Sequence, residues 1–396
     1  MSNMQTDKPR FVGEWVRLGD VCHLLNGFAF KSKLYANDGI RVIRIANVQN
    51  GYLEDSMPCF YPWDLEKSIE KYFLEEDDLL ISLTGNVGRV ALVEKSFLPA
   101  ALNQRVACLR IKNESYLRKR YLYHLLNSAS FEDKCIKSAN GIAQKNLSTE
   151  WVKDYLIPIP SLSTQDAVVN RLDLIQFQLT NARNSIDLLN SLIKSRFVEM
   201  FGASDLSLQK SAWHPIKQLG QVVSGATPKT SIGKYWDGGI KWITPAELSD
   251  MSGWVYDSTR HITEEGLNSC GARMMPVGTV ILSSRAPIGK MALLGDSMCC
   301  NQGFKNIVCG NRVIPEYLYY LLGFNTAYLN SLGRGATFKE LSKRSVEEIK
   351  IPVPSIKAQG EFVAVTQQVD KLRFAIQEQI EKLETLKASL MQEYFG

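Results

Sequence analysis

The sequence has 396 residues, 45% of them hydrophobic and 22% charged, a length that suits two or three domains and a composition able to bury real cores. Its formal net charge of +5 is only mildly basic, less than many free nucleic-acid binders carry. No stretch approaches the roughly 20 apolar residues of a membrane helix, and the polar start MSNMQTDKPR does not read as a signal peptide.

Short β-rich runs come first: IRVIRI at 40–45, LLISL at 79–83, VALVE at 90–94 and RVACLRI at 105–111. Gly, Asn and Pro punctuate them, which is strand-and-turn chemistry. One amphipathic helix is predicted near 116–128. The segment IPIP at 157–160 then forces extended backbone, because a residue before proline avoids the α region. Beyond it, apolar residues recur at Val168, Leu172, Ile175, Leu179, Ala182, Ile186, Leu189 and Ile193. The alternating spacing of four and three is the a/d pattern of a coiled coil. Gly202 stands where a helix C-cap falls. A helix from about 164 to 200 would be about 55 Å long.

The same series then begins again. IKWIT at 240–244, TVILSS at 279–284, KMALL at 290–294 and NIVC at 306–309 read as strands, and a helix is predicted near 315–331. IPVPS at 351–355 repeats IPIPS at 157–161, an offset of 194 residues. That offset also aligns Gly141, Lys145, Leu147 and Ser148 with Gly335, Lys339, Leu341 and Ser342, and Gln165 with Gln359. YLYHLL at 121–126 matches YLYYLL at 317–322, Asn103-Gln104 matches Asn301-Gln302, and Ser82 and Gly88 match Ser283 and Gly289. A second heptad stripe follows at Phe362, Val365, Val369, Leu372, Ile376, Ile380, Leu383, Leu386 and Leu390, with one or two slips.

The chain is therefore an internal duplication. Its expected domains are 1–160, a helix at 161–204, a second domain at 205–354 and a second helix at 355–396. Strands grouped ahead of helices argue an α+β fold rather than a doubly wound sheet. A narrow apolar stripe this long needs a partner, and the other copy is nearest to hand. The helices are expected to pack as an antiparallel intramolecular coiled coil with pseudo-twofold symmetry.

Catalytic signatures are missing. No G-x-x-x-x-G-K-S/T loop occurs, since both Gly-Lys pairs are followed by the wrong residue, Tyr235 or Met291. There is no Pro-Pro dipeptide, so the Asp/Asn-Pro-Pro-Tyr site of amino-group methyltransferases is absent, as are H-E-x-x-H and G-x-S-x-G. The eight cysteines are dispersed and none forms C-x-x-C, which suits buried, reduced thiols of a cytoplasmic protein. The four histidines lie far apart, and no metal site is expected.

What recurs is a polar, small-residue loop with a cation. The first copy has SLTGNVGRV at 82–90 and LNQRV at 102–106; the second has SSRAPIGK at 283–290 and NQGFK at 301–305. Backbone N–H groups and hydroxyls in such loops can bind phosphate, while Arg, Asn and Gln have the donor–acceptor geometry of base edges. The same residues also suit a tight turn built on Gly88 and Gly289, with Asn103 and Asn301 capping backbone. Two copies of one reader suit a repeating linear partner.

These residues carry a resemblance. SGATPKT (224–230), YWDGGIKWITPAEL (235–248), SSRAPIGKMALL (283–294) and NQGFKNI (301–307) resemble the specificity subunit of type I restriction–modification enzymes. NGFAFKSKLY (26–35), IRVIRIANVQNG (40–51), LLISLTGNVGRVALV (79–93) and LNQRV match a sister pattern in the first domain. That domain lacks the Gly-x-Thr-Pro turn, with Ala29-Phe30 standing roughly where Thr227-Pro228 do in the second.

The resemblance covers nearly the whole chain and implies a subunit without an active site. Each target-recognition domain would read one half of a bipartite, asymmetric sequence in double-stranded DNA, and the helices would set the gap and dock partners. Two modification subunits would use S-adenosylmethionine to methylate a flipped adenine, and two motor–nuclease subunits would join for restriction with ATP and Mg. No cofactor is implied for this chain itself. The expected DNA-binding residues are Lys31, Arg44, Asn47, Thr84, Asn86, Arg89, Gln104, Arg105 and Lys145 in the first domain. In the second they are Thr227, Lys229, Thr244, Ser284, Arg285, Lys290, Gln302, Lys305 and Lys339. A stand-alone nuclease-like enzyme and a coiled-coil protein scaffold are the alternatives.

Overall fold

The computed structural model describes residues 13–139, 145–202, 205–285, 287–335 and 339–396, which divide into two compact units. One unit joins the chain up to Arg183 with its final stretch from Gln377; the other is Asn184–Ile376.

In the first unit a four-stranded antiparallel sheet runs in the order Cys22–Asn26, Val106–Ile111, Leu79–Ser82, Val90–Leu92. The strand Leu79–Ser82 is buried along its whole length, because both of its faces are covered. Successive strand residues point to opposite faces. Leu79 and Ile81 pack with Tyr121, Leu122 and Leu125 of the helix Lys119–Leu126. Leu80 points the other way, into a core with Ile43 and Leu102. Those two residues belong to a three-stranded sheet of Phe60–Tyr61, Ile40–Ile43 and Ala100–Leu102, the last pair parallel.

Two further helices, Ala129–Ser138 and Thr149–Asp154, start at Ser128 and Ser148, whose hydroxyls accept from the backbone N–H three residues on at 3.2 and 3.1 Å. The proline-rich segment is a strand, Leu156–Ile159, paired antiparallel with Glu14–Arg17. It tolerates Pro158 because a two-stranded ribbon has free edges.

The long helix Leu162–Phe201 follows. Within this unit its residues Val168, Leu172, Ile175, Leu179 and Ala182 are all buried. Arg171 donates to the Tyr394 hydroxyl at 2.9 Å, Lys387 to Gln176 at 2.7 Å and Arg183 to Glu384 at 2.7 Å. Rising numbers on one helix meet falling numbers on the other, so the two segments run antiparallel.

The second unit repeats the plan with additions. Its five-stranded sheet runs Gly220–Ser224, Phe304–Cys309, Val280–Ser283, Met291–Leu294, Met251–Val255, the last pairing parallel. A three-stranded sheet joins His261–Ile262, Trp236–Ile243 and Cys299–Cys300, and His214–Pro215 pairs with Lys350–Ile351. The single helix expected at 315–331 is two, Pro315–Gly323 and Thr326–Ser331, broken at Phe324-Asn325. The helix Ile356–Phe395 packs here against Asn190–Phe201, with Arg373 donating to Asn190 at 2.8 Å. Phe197 fills the junction among the rings of Phe201, Tyr317, Phe324 and Phe362.

The second heptad stripe differs from its sequence reading at three places, where Thr366, Arg373 and Lys387 stand inward in place of Val365, Leu372 and Leu386. Leu372 and Leu386 are 56% and 48% exposed. The inward line is instead Phe362, Thr366, Val369, Arg373, Ile376, Ile380, Leu383, Lys387, Leu390 and Tyr394, all buried or half-buried. Its spacing alternates four and three without a break. The apparent slips are polar residues standing in the seam. Thr366 satisfies its hydroxyl on the Val363 carbonyl at 2.9 Å, and Arg373 and Lys387 reach across to amide side chains.

All eight cysteines are unpaired and five are buried; burial pushes the Cys22 and Cys135 thiols up to about 12. Among the described residues, no helix is long and apolar enough to cross a membrane.

Candidate nucleic-acid interface

Each unit builds the same loop cluster from main-chain bonds. In the first, the Ser82 hydroxyl donates to the Asn86 carbonyl and accepts from Arg89 N at 3.0 Å, while Gly88 N donates to Ser82 O at 2.9 Å. In the second, Ser283 donates to Pro287 O at 2.8 Å and accepts from Lys290 N at 2.9 Å, while Gly289 N reaches Ser283 O at 3.1 Å. The turn needs glycine at both places. Gly88 and Gly289 have φ of +82° and +102°, and a Cβ there would meet Cys135 and Thr326 at under 3 Å.

Two more loops hang on this turn. Leu83 N bonds Arg105 O at 2.9 Å and Ser284 N bonds Gly303 O at 2.7 Å, attaching the Asn-Gln loops. Asn103 and Asn301 fold those loops by accepting from Arg105 N and Gly303 N at 3.2 and 2.7 Å. Leu147 N to Leu83 O at 2.8 Å and Leu341 N to Ser284 O at 2.9 Å attach the third loops, which carry Lys145 and Lys339.

In the first unit the cluster brings together Thr84, Asn86, Arg89, Gln104, Arg105 and Lys145. Asn86, Gln104, Arg105 and Lys145 are exposed; Arg89 is half-buried and donates to Gln49. Gln104 and Arg105 also line an open cleft of about 380 Å³ with Phe30, Tyr35 and Arg44. Arg44 donates to Met57 O at 2.8 Å, and its buried Nε has no partner among the described residues. Lys31 is exposed beside that cleft, next to its lining residue Ser32. Asn47 is buried and accepts from Arg44 N at 2.9 Å while donating to Glu54 O at 2.8 Å, which makes it a turn-former.

In the second unit Lys229, Arg285, Gln302 and Lys339 are exposed. Thr227 bonds Gln302 and accepts from Asn301 at 3.1 Å, so the Thr-Pro turn sits on the Asn-Gln loop. Thr244 is occupied in a capping box with Glu247, whose carboxylate takes both its N–H and its hydroxyl at 2.8 and 2.9 Å. The Lys290 ammonium donates to Leu248 O at 2.6 Å. Ser284 and Lys305 are buried, and burial pulls the Lys305 ammonium below the usual lysine range.

One residue of this site escaped the sequence reading. Glu340 contacts Arg285 Nε at 3.1 Å and Lys305 Nζ at 3.6 Å. The 194-residue offset that aligns Lys145 with Lys339 places Glu340 opposite Asn146, and that exchange of a neutral for an acidic side chain was the available signal. Among the described residues, no group of three His, Cys, Asp or Glu side chains could hold a metal ion.

Residues 13–188 and 211–385 each match the family described as the type I restriction modification DNA specificity domain. The chain belongs to that family. Among curated relatives, the MjaIX specificity subunit of Methanocaldococcus jannaschii is 37% identical over 210 residues, 52% of this chain and 48% of that protein. The EcoAI specificity subunit of Escherichia coli is 33% identical over 41% of this chain and 28% of its own length. These alignments thus span less than half of either relative. The putative MjaX specificity subunit of Methanocaldococcus jannaschii is 24% identical, over 86% of this chain and 81% of its own. The fold is that of the S subunit of a type I restriction–modification system from M. genitalium, with a TM-score of 0.60 at 16% identity over 100% of this chain and 99% of that one. The duplicated loop cluster thus lies within a duplicated specificity domain.

Proposed function

We propose that the chain selects the DNA target of a type I restriction–modification complex, each repeat reading one half of a bipartite, asymmetric site. The single observation that carries this reading is the loop cluster, held by equivalent main-chain bonds in both repeats while several residues at its tips differ. Thr84, Asn86 and Arg105 in one copy stand where Arg285, Pro287 and Gly303 stand in the other. Phosphate contacts position a protein on a duplex and base-edge contacts specify the sequence. A conserved frame with different donors reads different bases.

In this reading Lys31, Arg44, Asn86, Arg89, Gln104, Arg105 and Lys145 face one half-site. Thr227, Lys229, Arg285, Gln302 and Lys339 face the other. Asn47, Thr244, Ser284 and Lys290 hold the frame, and Lys305 is buried beneath it. Residues 1–160 and 205–354 act as readers and 161–204 and 355–396 as spacers that set the gap. Exposed Leu174 and Phe177 in the first unit, and exposed Leu188, Leu192 and Phe374 in the second, supply apolar positions for docking two modification subunits. Those subunits bring S-adenosylmethionine, and motor–nuclease subunits bring ATP and Mg chemistry, in the cytoplasm. This chain transfers nothing itself.

Methylation sequencing of host DNA with and without the gene tests the proposal. A bipartite adenine motif that disappears with the gene is expected. An unchanged methylation pattern, or methyl transfer by the isolated chain, overturns it.

A further inference from the structure

Lys305 stands in the strand Phe304–Cys309 and is 6% exposed. A buried ammonium is costly unless an anion and hydrogen bonds compensate it. Its Nζ lies 3.3 Å from Ser284 Oγ and 3.6 Å from Glu340 Oε1. The other Glu340 oxygen, Oε2, lies 3.1 Å from Nε of Arg285, whose side chain is 52% exposed. One carboxylate thus spans a buried cation and an exposed one.

The backbone beneath is fixed independently. Arg285 and Glu340 face each other across an antiparallel bridge, and Glu340 and Arg334 exchange main-chain bonds at 2.9 and 3.1 Å. In the first repeat the corresponding positions are Leu83, Thr84, Ala107 and Asn146, none charged. The bridge survives there between Thr84 and Asn146. The fold therefore does not require these charges; only the second repeat carries them.

We propose that Glu340, anchored by Lys305 and Ser284, is a positioning residue that orients the Arg285 guanidinium toward one base pair of the half-site read by the second repeat. The carboxylate beside Nε restrains the guanidinium electrostatically. Its terminal nitrogens are left to present a pair of donors, the geometry that matches O6 and N7 of guanine. Preorganisation of this kind lowers the cost of ordering a long side chain on binding. The inference rests on sequence-specific DNA recognition by this chain and adds the residues that set one of its choices.

The test uses the chain assembled with its modification subunits, methylating a library of targets with every single base substitution in both half-sites. For Glu340→Gln, discrimination at one base pair of one half-site should fall about tenfold, with all other positions unchanged. Lys305→Met should relax that same base pair. Glu340→Asp keeps the carboxylate charge but shortens its reach to Arg285, so it carries the same expectation and guards against misfolding. Unchanged discrimination in Glu340→Gln and Glu340→Asp, or uniform weakening over all targets, overturns the positioning role alone. An unmutated complex without any sequence preference overturns the recognition reading and this inference with it.

Discussion

Gln165 and Gln359 occupy equivalent places near the start of each long helix, and both are fully buried. The Gln165 side chain accepts from Arg118 N at 2.8 Å and donates to Tyr116 O and Pro160 O at 3.0 and 2.9 Å. Gln359 accepts from Ile314 N at 2.8 Å and donates to Arg312 O and Pro354 O at 3.1 and 2.8 Å. One amide thus ties helix, preceding strand and domain helix together. Gln165→Leu keeps the bulk but leaves one N–H and two carbonyls without partners. At about 1–3 kcal/mol for each buried group left unsatisfied, less about 1 kcal/mol regained by burying apolar surface, the loss should be about 2–8 kcal/mol. For a unit of this size that corresponds to a melting temperature lower by roughly 4–32 °C. Hydrogen exchange followed by mass spectrometry locates the effect. Peptides from the first unit should lose protection while those of 205–354 keep theirs, and Gln359→Leu should show the reverse. A loss below about 1 kcal/mol, or equal deprotection of both units, would refute the reasoning.

His124 is buried with its Nε2 2.7 Å from Asp173, where Tyr320 stands in the second repeat. Burial lowers the His124 pKa from 6.5 despite that carboxylate, so the unfolded chain binds its proton first and stability falls as pH drops below about 6.5. Denaturant titrations of His124→Gln should lose that part of the pH slope, and an unchanged slope would contradict the assignment. Burial raises the Asp173 carboxyl, yet hydrogen bonds from His124 and Arg120 bring it to about 2. Its contribution persists above the unfolded value of 3.8 and disappears as pH falls toward 2, which acid titration of Asp173→Asn should show by its absence. Arg285→Ala should cost roughly 1–3 kcal/mol at one base pair of one half-site; equal weakening of every oligonucleotide would mark a phosphate contact instead. Matched four-residue insertions in both long helices add about 6 Å each, so with base pairs about 3.4 Å apart the gap should lengthen by one or two. Methylation sequencing with the original gap would show that the helices do not act as the spacer.

Much of the fold was legible because the duplication doubled every signal. Strands centred on Leu80, Cys108, Ile281 and Ile307 were readable from apolar runs, and the first helix stripe from its heptads. Other elements were hidden for physical reasons. Among the described residues Glu14–Arg17 and Leu156–Ile159 pair only with each other, and prolines at 158 and 160 masked the second strand. Thr366, Arg373 and Lys387 keep the seam of the second helix in register, but a search for apolar residues passes over them. At the site, loop composition singled out two segments in each repeat, which the fold brings beside the loops carrying Lys145 and Lys339. It could not separate a side chain facing solvent, such as Gln302, from one folded inward, such as Lys305. That distinction depends on strand register and on a carboxylate supplied by a loop 35 residues further on.

Ser82 and Ser283 hold their hairpin ends with one hydroxyl each, touching only main-chain atoms. At the tip, the side chains of Thr84, Asn86 and Arg285 contribute little to the turn's shape. Point changes at these positions can therefore accumulate with small effects on stability while each alters the pattern of donors and acceptors on display. A new target would then be reachable by successive single substitutions, none of which need unfold the chain. Under the proposed function, the same separation makes these tips, rather than the strands below them, the place to begin reprogramming.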